Sequence, residues 1–397
     1  MVWDLTSSTF LAEPQPQLEE MRAAGPLAET RVPLIGRTWV TTTDAAARAL
    51  LKDVRFVRDP RTPTGRTMRN TLWFLPRFLS PMLDSLIVKD GEDHRRLRSL
   101  VDRAFARAVI DDLVPDLTRM ADSLLDRIGP TRSVDLKATY ARPLPLLAIC
   151  SLLGVPDGDR ERVTRWIGPL SDPGPGTILR AMPGLWRVLR HFRSDLEAVR
   201  RTDRAGLIRE LVRAEDEDGS LSEEEVLSMV VLLFLAGHET TVHLITDSIA
   251  SLLADPQLRD EVLSEPLRLP LAVEEFLRFH SPVMMTKMHY AREDLVFEGV
   301  PLRKGSRVAA FLLAANHDPA RIEAPEELRP DRRPNAHLAF GFGPHVCLGM
   351  QLARAETRVA IAQFFDRFPA ATLVETPVYA RRFGIRGYRR LMVRLQP

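Results

Sequence analysis

The spacing of apolar residues divides the chain into helical and strand-like regions. From about residue 95 to about residue 280, apolar positions recur every three or four residues, as in "VIDDLVPDLTRMADSLLDRI", which predicts amphipathic helices. Strand-like pieces are "TWVTT" near the start and two stretches within "DLVFEGVPLRKGSRVAAFLLA". A stretch rich in Pro and Gly, "GPLSDPGPGTILRAMPG", interrupts the helices and predicts a mobile loop. The pattern predicts a mainly α fold with small peripheral β-sheets, an α+β architecture.

The longest predicted helix is buried but has a polar centre. It begins with a capping box, Ser222 three residues before Glu225, and ends before Pro256. At 1.5 Å per residue its length is roughly 50 Å. Apolar residues surround it on nearly every side, yet its middle reads "GHETT", from Gly237 to Thr241. A polar cluster inside a buried helix is costly unless it is satisfied or used.

Composition and charge narrow the class of protein. Of 397 residues 45% are hydrophobic and 27% charged, which is typical of a globular chain, and the net charge is +2. That charge gives no general attraction to nucleic acid or to a membrane surface. The longest apolar stretch, "VLSMVVLLFLAG", is shorter than the roughly 20 residues of a bilayer span, and no secretory signal pattern is present. We expect a cytoplasmic protein with no membrane span and no nucleic-acid partner.

The two cysteines lie in contrasting surroundings and are too few for a disulfide scaffold. Cys150 lies in the apolar run "PLPLLAICSLLGVP", which predicts an inert buried thiol. Cys347 lies in "AFGFGPHVCLG", directly before a predicted helix whose N-terminus favours the thiolate. Four interpretations are open: a zinc ligand with His337 and His345, a nucleophile with His345 as base, a haem ligand, or a buried structural cysteine.

The glycine-rich loop around the second cysteine resembles the haem-binding loop of cytochromes P450. The likeness extends back through "PNAHLAF" and forward through "LARAE", both typical of soluble bacterial members. It implies one P450 domain over residues 1–397, with haem b (iron protoporphyrin IX) between the long central helix and the helix after the loop. Two glycines permit close approach of the backbone to a flat ligand. Phe340, Gly343, Cys347 and Gly349 occupy the fixed positions of the family's loop pattern. The resemblance implies that Cys347 is the metal ligand and that Phe340, Gly341 and Gly349 contact the cofactor.

The polar centre of the long helix, "AGHETT", resembles the oxygen-activation motif of the same family. The resemblance implies that Thr240 hydrogen-bonds dioxygen and that Glu239 relays protons. It also implies that Ala236 and Gly237 lie against the haem and leave room for oxygen, whereas His238 occupies a variable position. An alternative for the threonine is a hydroxyl bond back to a carbonyl one turn earlier, and the two roles are compatible.

The segment "EEFLRF" resembles the family's Glu-x-x-Arg motif, with Glu275 and Arg278 three residues apart on one helix face. The resemblance implies a buried ion pair that holds the cysteine loop. Related proteins often add a third cationic partner from the segment before the loop. In this chain Glu327 occupies that position, and Arg332 is the candidate substitute.

Four further residues are predicted to bind the haem propionates. The segment "HRRLR" resembles the family's His-x-x-x-Arg motif and implies that His94 and Arg98 do so. His345 fills another usual propionate position. His289 stands in the strand where the family usually has Arg, and its charge depends on pH.

The substrate-facing segments of the family carry mostly apolar residues in this chain, so we expect a hydrophobic small-molecule substrate. Each of these residues is also consistent with ordinary core packing. The predicted pocket residues are Trp73, Phe74, Leu86, Ile87, Leu170, Leu233, Met284, Met285 and Phe383.

The resemblance implies a haem-thiolate monooxygenase that hydroxylates or epoxidises its substrate with O2, as in secondary metabolism. The chain has no dinucleotide fingerprint, so we expect electrons from a separate ferredoxin or flavodoxin with an NAD(P)H reductase. Arg96, Arg103 and Arg107 are candidates for the docking face, although a charged helix face is also typical of plain solvation. We expect a monomer. Alternatives are a peroxide-driven variant and a non-catalytic haem-thiolate sensor or ligand carrier, against which the intact "AGHETT" argues.

Overall fold

Helices form most of the protein. The fold comes from a computed structural model that describes residues 2–32, 36–71, 73, 75–129, 133–168, 176–202, 204–216 and 221–395. The helices are α1 (Ser8–Ala12), α2 (Gln15–Ala24), α3 (Asp44–Lys52), α4 (Arg61–Thr64), α5 (Met68–Thr71), α6 (Ser80–Leu83), α7 (Gly91–Asp102), α8 (Arg107–Ile128), α9 (Pro143–Leu153), α10 (Asp157–Ile167), α11 (Thr177–Val199), α12 (Leu207–Asp216), α13 (Glu223–Ala254), α14 (Pro256–Leu263), α15 (Arg268–His280), α16 (Leu312–Asn316) and α17 (Met350–Arg367). A π-helical turn, Lys137–Ala141, precedes α9.

The strands are short and lie at the periphery, as the sequence predicts. They are β1 (Val2–Trp3), β2 (Leu27–Val32), β3 (Gly36–Thr41), β4 (Phe56–Val57), β5 (Val134–Asp135), β6 (His289–Ala291), β7 (Leu295–Phe297), β8 (Val300–Leu302), β9 (Arg307–Ala309), β10 (Thr372–Leu373) and β11 (Met392–Arg394). The largest sheet has the order β1-β2-β3-β9-β6-β4, in which the β1–β2 and β3–β9 pairs are parallel. A three-stranded sheet, β10-β11-β5, and the β7–β8 hairpin complete the β structure.

Helix α13 is the predicted long central helix. Its capping box is present: the N–H of Glu225 donates to Ser222 Oγ at 3.3 Å, and the N–H of Ser222 donates to Glu225 Oε2 at 2.9 Å. The helix ends at Ala254, and Asp255 then caps α14, so the predicted stop before Pro256 is confirmed. Among the described helices, α13 alone is long and apolar enough to cross a membrane, but 67% of its most apolar window is buried inside the protein.

The main apolar core surrounds α13, which packs against α9, α11, α15 and α17, while α17 also packs along α8. Two smaller apolar clusters lie around the large sheet, one of them built on the N-terminal helices α1 and α2. Because α13 crosses the core and α17 lies beside it, both helices hold their functional residues in rigid surroundings.

Part of the predicted Pro- and Gly-rich loop is helical, so that prediction was wrong from Thr177 onward. Pro183 lies inside α11. Apolar residues at helical spacing, Ala181, Leu185 and Val188, are buried against the core. Their burial offsets the cost of the proline, which the local composition alone did not reveal. The preceding part of the predicted loop, 169–175, lies outside the described residues.

Candidate active site

The cysteine loop has the backbone conformation that its glycines predict. Gly341 and Gly343 have φ angles of 73° and 75°, a region that favours glycine. A Cβ on Gly343 would lie 2.6 Å from the carbonyl oxygen of Leu51, so no larger residue fits. The N–H of Cys347 donates to the carbonyl of Phe340 at 2.8 Å. The loop therefore holds Cys347 in a fixed position directly before α17.

The surroundings of the Cys347 thiol act on its pKa in opposite directions. Burial raises the pKa, while a hydrogen bond from the Gly349 N–H and the charges of Arg98 and Arg354 lower it. The net direction is upward, in contrast to the prediction that the helix N-terminus favours the thiolate. A metal cation deprotonates a thiol that coordinates it, so a metal bound to the sulfur would stabilise the thiolate form of Cys347.

The middle of α13 is open on one side. Ala236 is exposed, and Glu239 and Thr240 are partly exposed, although most of the helix before and after them is buried. A Cβ on Gly237 would lie 3.3 Å from the side chain of Ile149 on α9. The missing side chain of Gly237 therefore makes room for α9, which corrects the prediction that it makes room for oxygen.

The acid and the alcohol of the "AGHETT" segment have different partners. Glu239 forms an ion pair with Arg382 from the C-terminal segment. None of the described residues accepts a hydrogen bond from Thr240, so the back-bonding alternative has no support, whereas Thr246 on the same helix does bond back to Val242. His238 is buried, and its Nδ1 lies 3.2 Å from the carbonyl of Phe234, a structural contact.

The Glu-x-x-Arg pair is completely buried and joins three segments of the chain. Arg278 donates to both carboxylate oxygens of Glu275, at 2.7 and 2.9 Å. Arg332 Nε reaches the same carboxylate at 3.1 Å, so Arg332 is the third partner. Glu327 contributes its backbone carbonyl to Arg278 at 2.8 Å, and Asn335 donates to Glu275 at 3.0 Å. This network fixes the segment that leads into the cysteine loop.

The residues predicted to bind propionates lie together. Arg98 donates to the carbonyl of Val346 at 2.7 Å, which joins α7 to the cysteine loop. The rings of His94 and His345 are 4.0 Å apart, and His345 Nε2 faces Asp90 at 3.9 Å. His345 is therefore engaged away from the sulfur, which disfavours the nucleophile–base interpretation of the cysteine. Across the described ranges, no three His, Cys, Asp or Glu side chains form a metal cluster, which disfavours the zinc interpretation.

Arg58 completes this cluster and was missed by the sequence analysis. It is 6% exposed, and its Nε lies 3.4 Å from Nε2 of His289. Burial lowers the pKa of Arg58 to about 10, which is still far above neutral. A guanidinium thus lies beside position 289, where the family usually has Arg, and it comes from the segment after β4. No motif of the sequence marks Arg58, because the pairing joins residues 231 positions apart.

Comparisons with known proteins identify the chain. A family model described as Cytochrome P450 matches residues 185–379. A vitamin D(3) 25-hydroxylase from Pseudonocardia autotrophica is 37% identical over 399 aligned positions, covering 99% of this chain and 96% of that protein. The chain belongs to the cytochrome P450 family.

Two further P450s agree with this assignment. A mycinamicin IV hydroxylase/epoxidase from Micromonospora griseorubida is 35% identical, covering 89% of this chain and 88% of that protein. A myxobacterial P450 solved in complex with myristic acid superposes with a TM-score of 0.91 at 36% identity, with 99% of each chain covered. These matches confirm the predicted family, fold class and monooxygenase class.

The residues around the cysteine loop fit a haem group. Burial, together with neighbouring cations, lowers the pKa of His94 to about 4 and that of His289 to about 3. Near neutral pH both histidines are therefore uncharged, so the cations of the cluster are Arg58 and Arg98, and Arg98 is paired with Asp102 at 2.7 Å. Two propionates would accept hydrogen bonds from these arginines and from imidazole N–H groups. Cys347 would be the residue of the loop that binds the haem iron, through its thiolate.

The predicted pocket residues are dispersed. Met284 and Met285 are 0% and 5% exposed in the core cluster with Phe311, so they pack against protein, which corrects their assignment to the pocket. Trp73 is 79% exposed at the surface. Phe74 and Leu170 lie outside the described residues. The others are buried or half-buried: Leu86, Leu233, Ile87 and Phe383.

Two more residues of the site were missed. Arg382 pairs with Glu239 but stands 143 positions away, in a segment with many arginines. Glu356, in the "LARAE" segment on α17, is completely buried beside Thr241, and burial raises its pKa well above the usual value. A charged residue within the apolar pattern of α17 was the one available signal for Glu356.

Proposed function

We propose that this P450 binds haem b, with Cys347 as the residue that would bind its iron, and inserts one oxygen atom of O2 into a hydrophobic small molecule by hydroxylation or epoxidation. One observation carries the proposal. A half-buried thiol directly before α17 lies near a cluster of five nitrogen-bearing side chains, two of them arginines and three of them histidines. That donor set suits a flat dianionic cofactor. Its members are His94, Arg98, His345, His289 and Arg58.

The haem, when bound, supplies the chemistry that activates O2. The protein's part is to ligate, position and deliver protons. Cys347 would bind the iron as thiolate, the ligand whose electron density would favour O–O cleavage. The Thr240 hydroxyl, free of any bond to its own helix, donates a hydrogen bond into the opening of α13. The Glu239 carboxyl gives up and regains a proton there, which requires a nearly dry site with a positioned acid.

The substrate and the redox partner follow from the same resemblance. The relatives named above act on vitamin D(3) and mycinamicin IV or bind myristic acid, which supports a mainly apolar substrate from secondary metabolism. Electrons come from a ferredoxin or flavodoxin with its NAD(P)H reductase. Arg103 and Arg107 are exposed beside α8 and suit a docking face, whereas Arg96 is paired with Glu225. The enzyme acts as a single-domain monomer in the cytoplasm.

The experiment that tests the proposal is turnover under ¹⁸O2 with a surrogate ferredoxin and reductase, over a panel of apolar compounds chosen by substrate-induced spin shift. The proposal predicts one ¹⁸O atom per product and no product in Cys347→Ser. Product that carries oxygen from water, or equal turnover in the cysteine variant, contradicts it. The alternative of a non-catalytic carrier predicts spin shifts without NADPH consumption.

A further inference from the structure

A polar stripe leads from the opening of α13 into the core. Ala236, Thr240, His243 and Asp247 follow each other at spacings of four, three and four residues, so they share one helix face. Ala236 is exposed at the opening, but His243 and Asp247 are only 2% and 0% exposed. Glu239 lies one turn before His243, and side chains four apart on a helix are neighbours. The stripe thus places two buried titratable groups directly behind the proposed acid.

The polar atoms of this stripe are not satisfied by protein. Among the described residues, neither ring nitrogen of His243 has a hydrogen-bond partner, and neither does Oδ2 of Asp247. Oδ1 of Asp247 accepts from the N–H of Tyr388 at 3.3 Å. Buried polar groups in proteins are nearly always paired, and ordered water completes them where protein does not. We therefore expect ordered water between His243 and Asp247.

Cations from two other segments face the stripe. The turn after β5 contributes Lys137 and Arg142, and the C-terminal segment contributes Arg382 and Arg386. The α13 groups near them are His238 and Glu239. Lys137 Nζ donates to the carbonyl of Tyr388 at 2.5 Å. Positive charge of this density favours an ionised carboxylate at Asp247, against the effect of burial.

The far end of the stripe approaches the surface at a pair of tyrosines. The ring of Tyr388 stacks on that of Tyr379 at 4.4 Å, and both residues are half-buried. Gly387, beside this pair, packs closely against the imidazole of His243: a Cβ on Gly387 would lie 1.9 Å from Nδ1 of His243. The backbone of Gly387 therefore lies close against the His243 ring and limits its movement.

Two groups of this cluster exchange protons close to neutral pH. Burial raises the pKa of Asp247 to about 7, against the charge of Arg386, and burial lowers the pKa of Lys137 to about 8. Burial also lowers the pKa of His243 well below its usual value, so its imidazole is neutral. A neutral imidazole accepts a proton at one nitrogen while it donates from the other.

We propose that His243 and Asp247, with bound water, form a relay that returns protons to the Glu239 carboxylate from the buried Lys137 and its neighbour Tyr388. The inference rests on the proposed role of Glu239. In each cycle the Asp247 carboxyl gives its proton through water to one His243 nitrogen, and the other nitrogen releases a proton towards Glu239. The Lys137 ammonium re-protonates Asp247, and because Lys137 is itself only 2% exposed, it regains its proton through water beside the half-buried Tyr388. His243 and Asp247 are therefore positioning residues that act through Glu239.

The test compares Asp247→Asn and His243→Phe with Thr246→Ala, a buried control on the same helix whose hydroxyl only bonds to its own backbone. Two quantities are measured: the solvent deuterium isotope effect on product formation, and the share of electrons that ends in peroxide. The relay predicts that product formation falls about tenfold or more in both variants and that the isotope effect rises, with wild-type values in the control. A merely structural role lowers stability without moving the isotope effect.

A second readout does not depend on turnover. Infrared titration of protein labelled with ¹³C-aspartate follows the carboxyl stretch that disappears in Asp247→Asn. The relay predicts a midpoint close to neutral pH, and a midpoint in the ordinary range of aspartate overturns it. Glu239→Gln separates the two proposals. If it changes the peroxide share and Asp247→Asn does not, the relay is wrong and the role of Glu239 stands, whereas no change in Glu239→Gln contradicts the role of Glu239 itself.

Discussion

The Glu239 carboxylate is held by the Arg382 guanidinium at the middle of α13. The pair joins the segment proposed to deliver protons to the C-terminal turn that carries Phe383. The two side chains are 24% and 15% exposed, so water screens the interaction only in part. The ion pair gives the Glu239 carboxylate a defined position beside Thr240. Separation of Glu239 from Arg382 is therefore coupled to the position of the C-terminal turn.

Removal of the arginine tests this coupling. We expect Arg382→Met to lower the free energy of unfolding by about 1–3 kcal/mol, because a partly buried carboxylate loses its charged partner. Denaturant unfolding measures the change. The control is Arg389→Met, which removes an exposed arginine of the same segment and is expected to have little effect. Equal stability of the two variants would show that the pair does not hold Glu239.

The hydroxyl of Thr240 is expected to determine what share of the consumed electrons forms product and what share forms peroxide. Thr240→Ala should retain haem but convert most consumed NADPH into peroxide, with product formation lower by about tenfold or more, because proton delivery loses its donor. Peroxide and product are measured together in one turnover assay. Unchanged coupling in this variant would contradict the proton-delivery role.

The buried Glu275–Arg278 pair is expected to be essential for stability. Both side chains are 0% exposed, and removal of one partner of such a pair typically costs about 3–5 kcal/mol. Glu275→Gln should therefore unfold at much lower denaturant concentration and lose haem. The matched control is Glu375→Gln, which breaks a pair with Arg390 whose side chains are 40% and 58% exposed and costs about 1 kcal/mol or less. Similar effects in the two variants would contradict the structural role.

Arg58 is expected to replace the arginine that the family has at position 289. Arg58→Ser should release haem about tenfold more readily, as expected when a charge-assisted hydrogen bond is lost. The double variant Arg58→Ser with His289→Arg should restore retention, because the guanidinium returns from the neighbouring strand. Haem transfer to apomyoglobin measures the rate. Failure of the double variant would show that Arg58 acts in another way, and Arg37→Ser, at an exposed arginine of the same sheet, is the control.

Asp247 gives the stability a defined pH dependence. Its pKa is about 7 in the folded protein and 3.8 ordinarily, so the folded state keeps this proton to higher pH than the unfolded chain does. Stability is lost as the pH rises from about 4 to about 7, by up to about 4 kcal/mol at 1.36 kcal/mol per pKa unit. The stability of Asp247→Asn should not fall in this way, so the difference in free energy of unfolding between the variant and wild type should grow in favour of the variant across that range. Asp260→Asn, at an exposed aspartate, should follow the wild-type curve.

The sequence predicted correctly those features that depend on residues close together in the chain. The capping box of α13, its end before Pro256 and the turn at Cys347 each depend on a few neighbouring residues, and the structure has them as predicted. The helix containing Pro183 was missed, because burial of its apolar face outweighs the composition of the segment. Arg58 and Arg382 were not predicted, because their partners are distant in sequence. In the sequence alone, such arginines cannot be distinguished from arginines at the protein surface.

Haem ligation by the Cys347 thiolate can be measured from the absorption spectrum of the dithionite-reduced protein with carbon monoxide. We expect a strongly red-shifted Soret band in the wild type that is lost in Cys347→Ser and kept in Cys150→Ser, because Cys150 is buried in the core away from the loop. A Soret band at the position of histidine-ligated haem, or a red-shifted band that survives in Cys347→Ser, would contradict it.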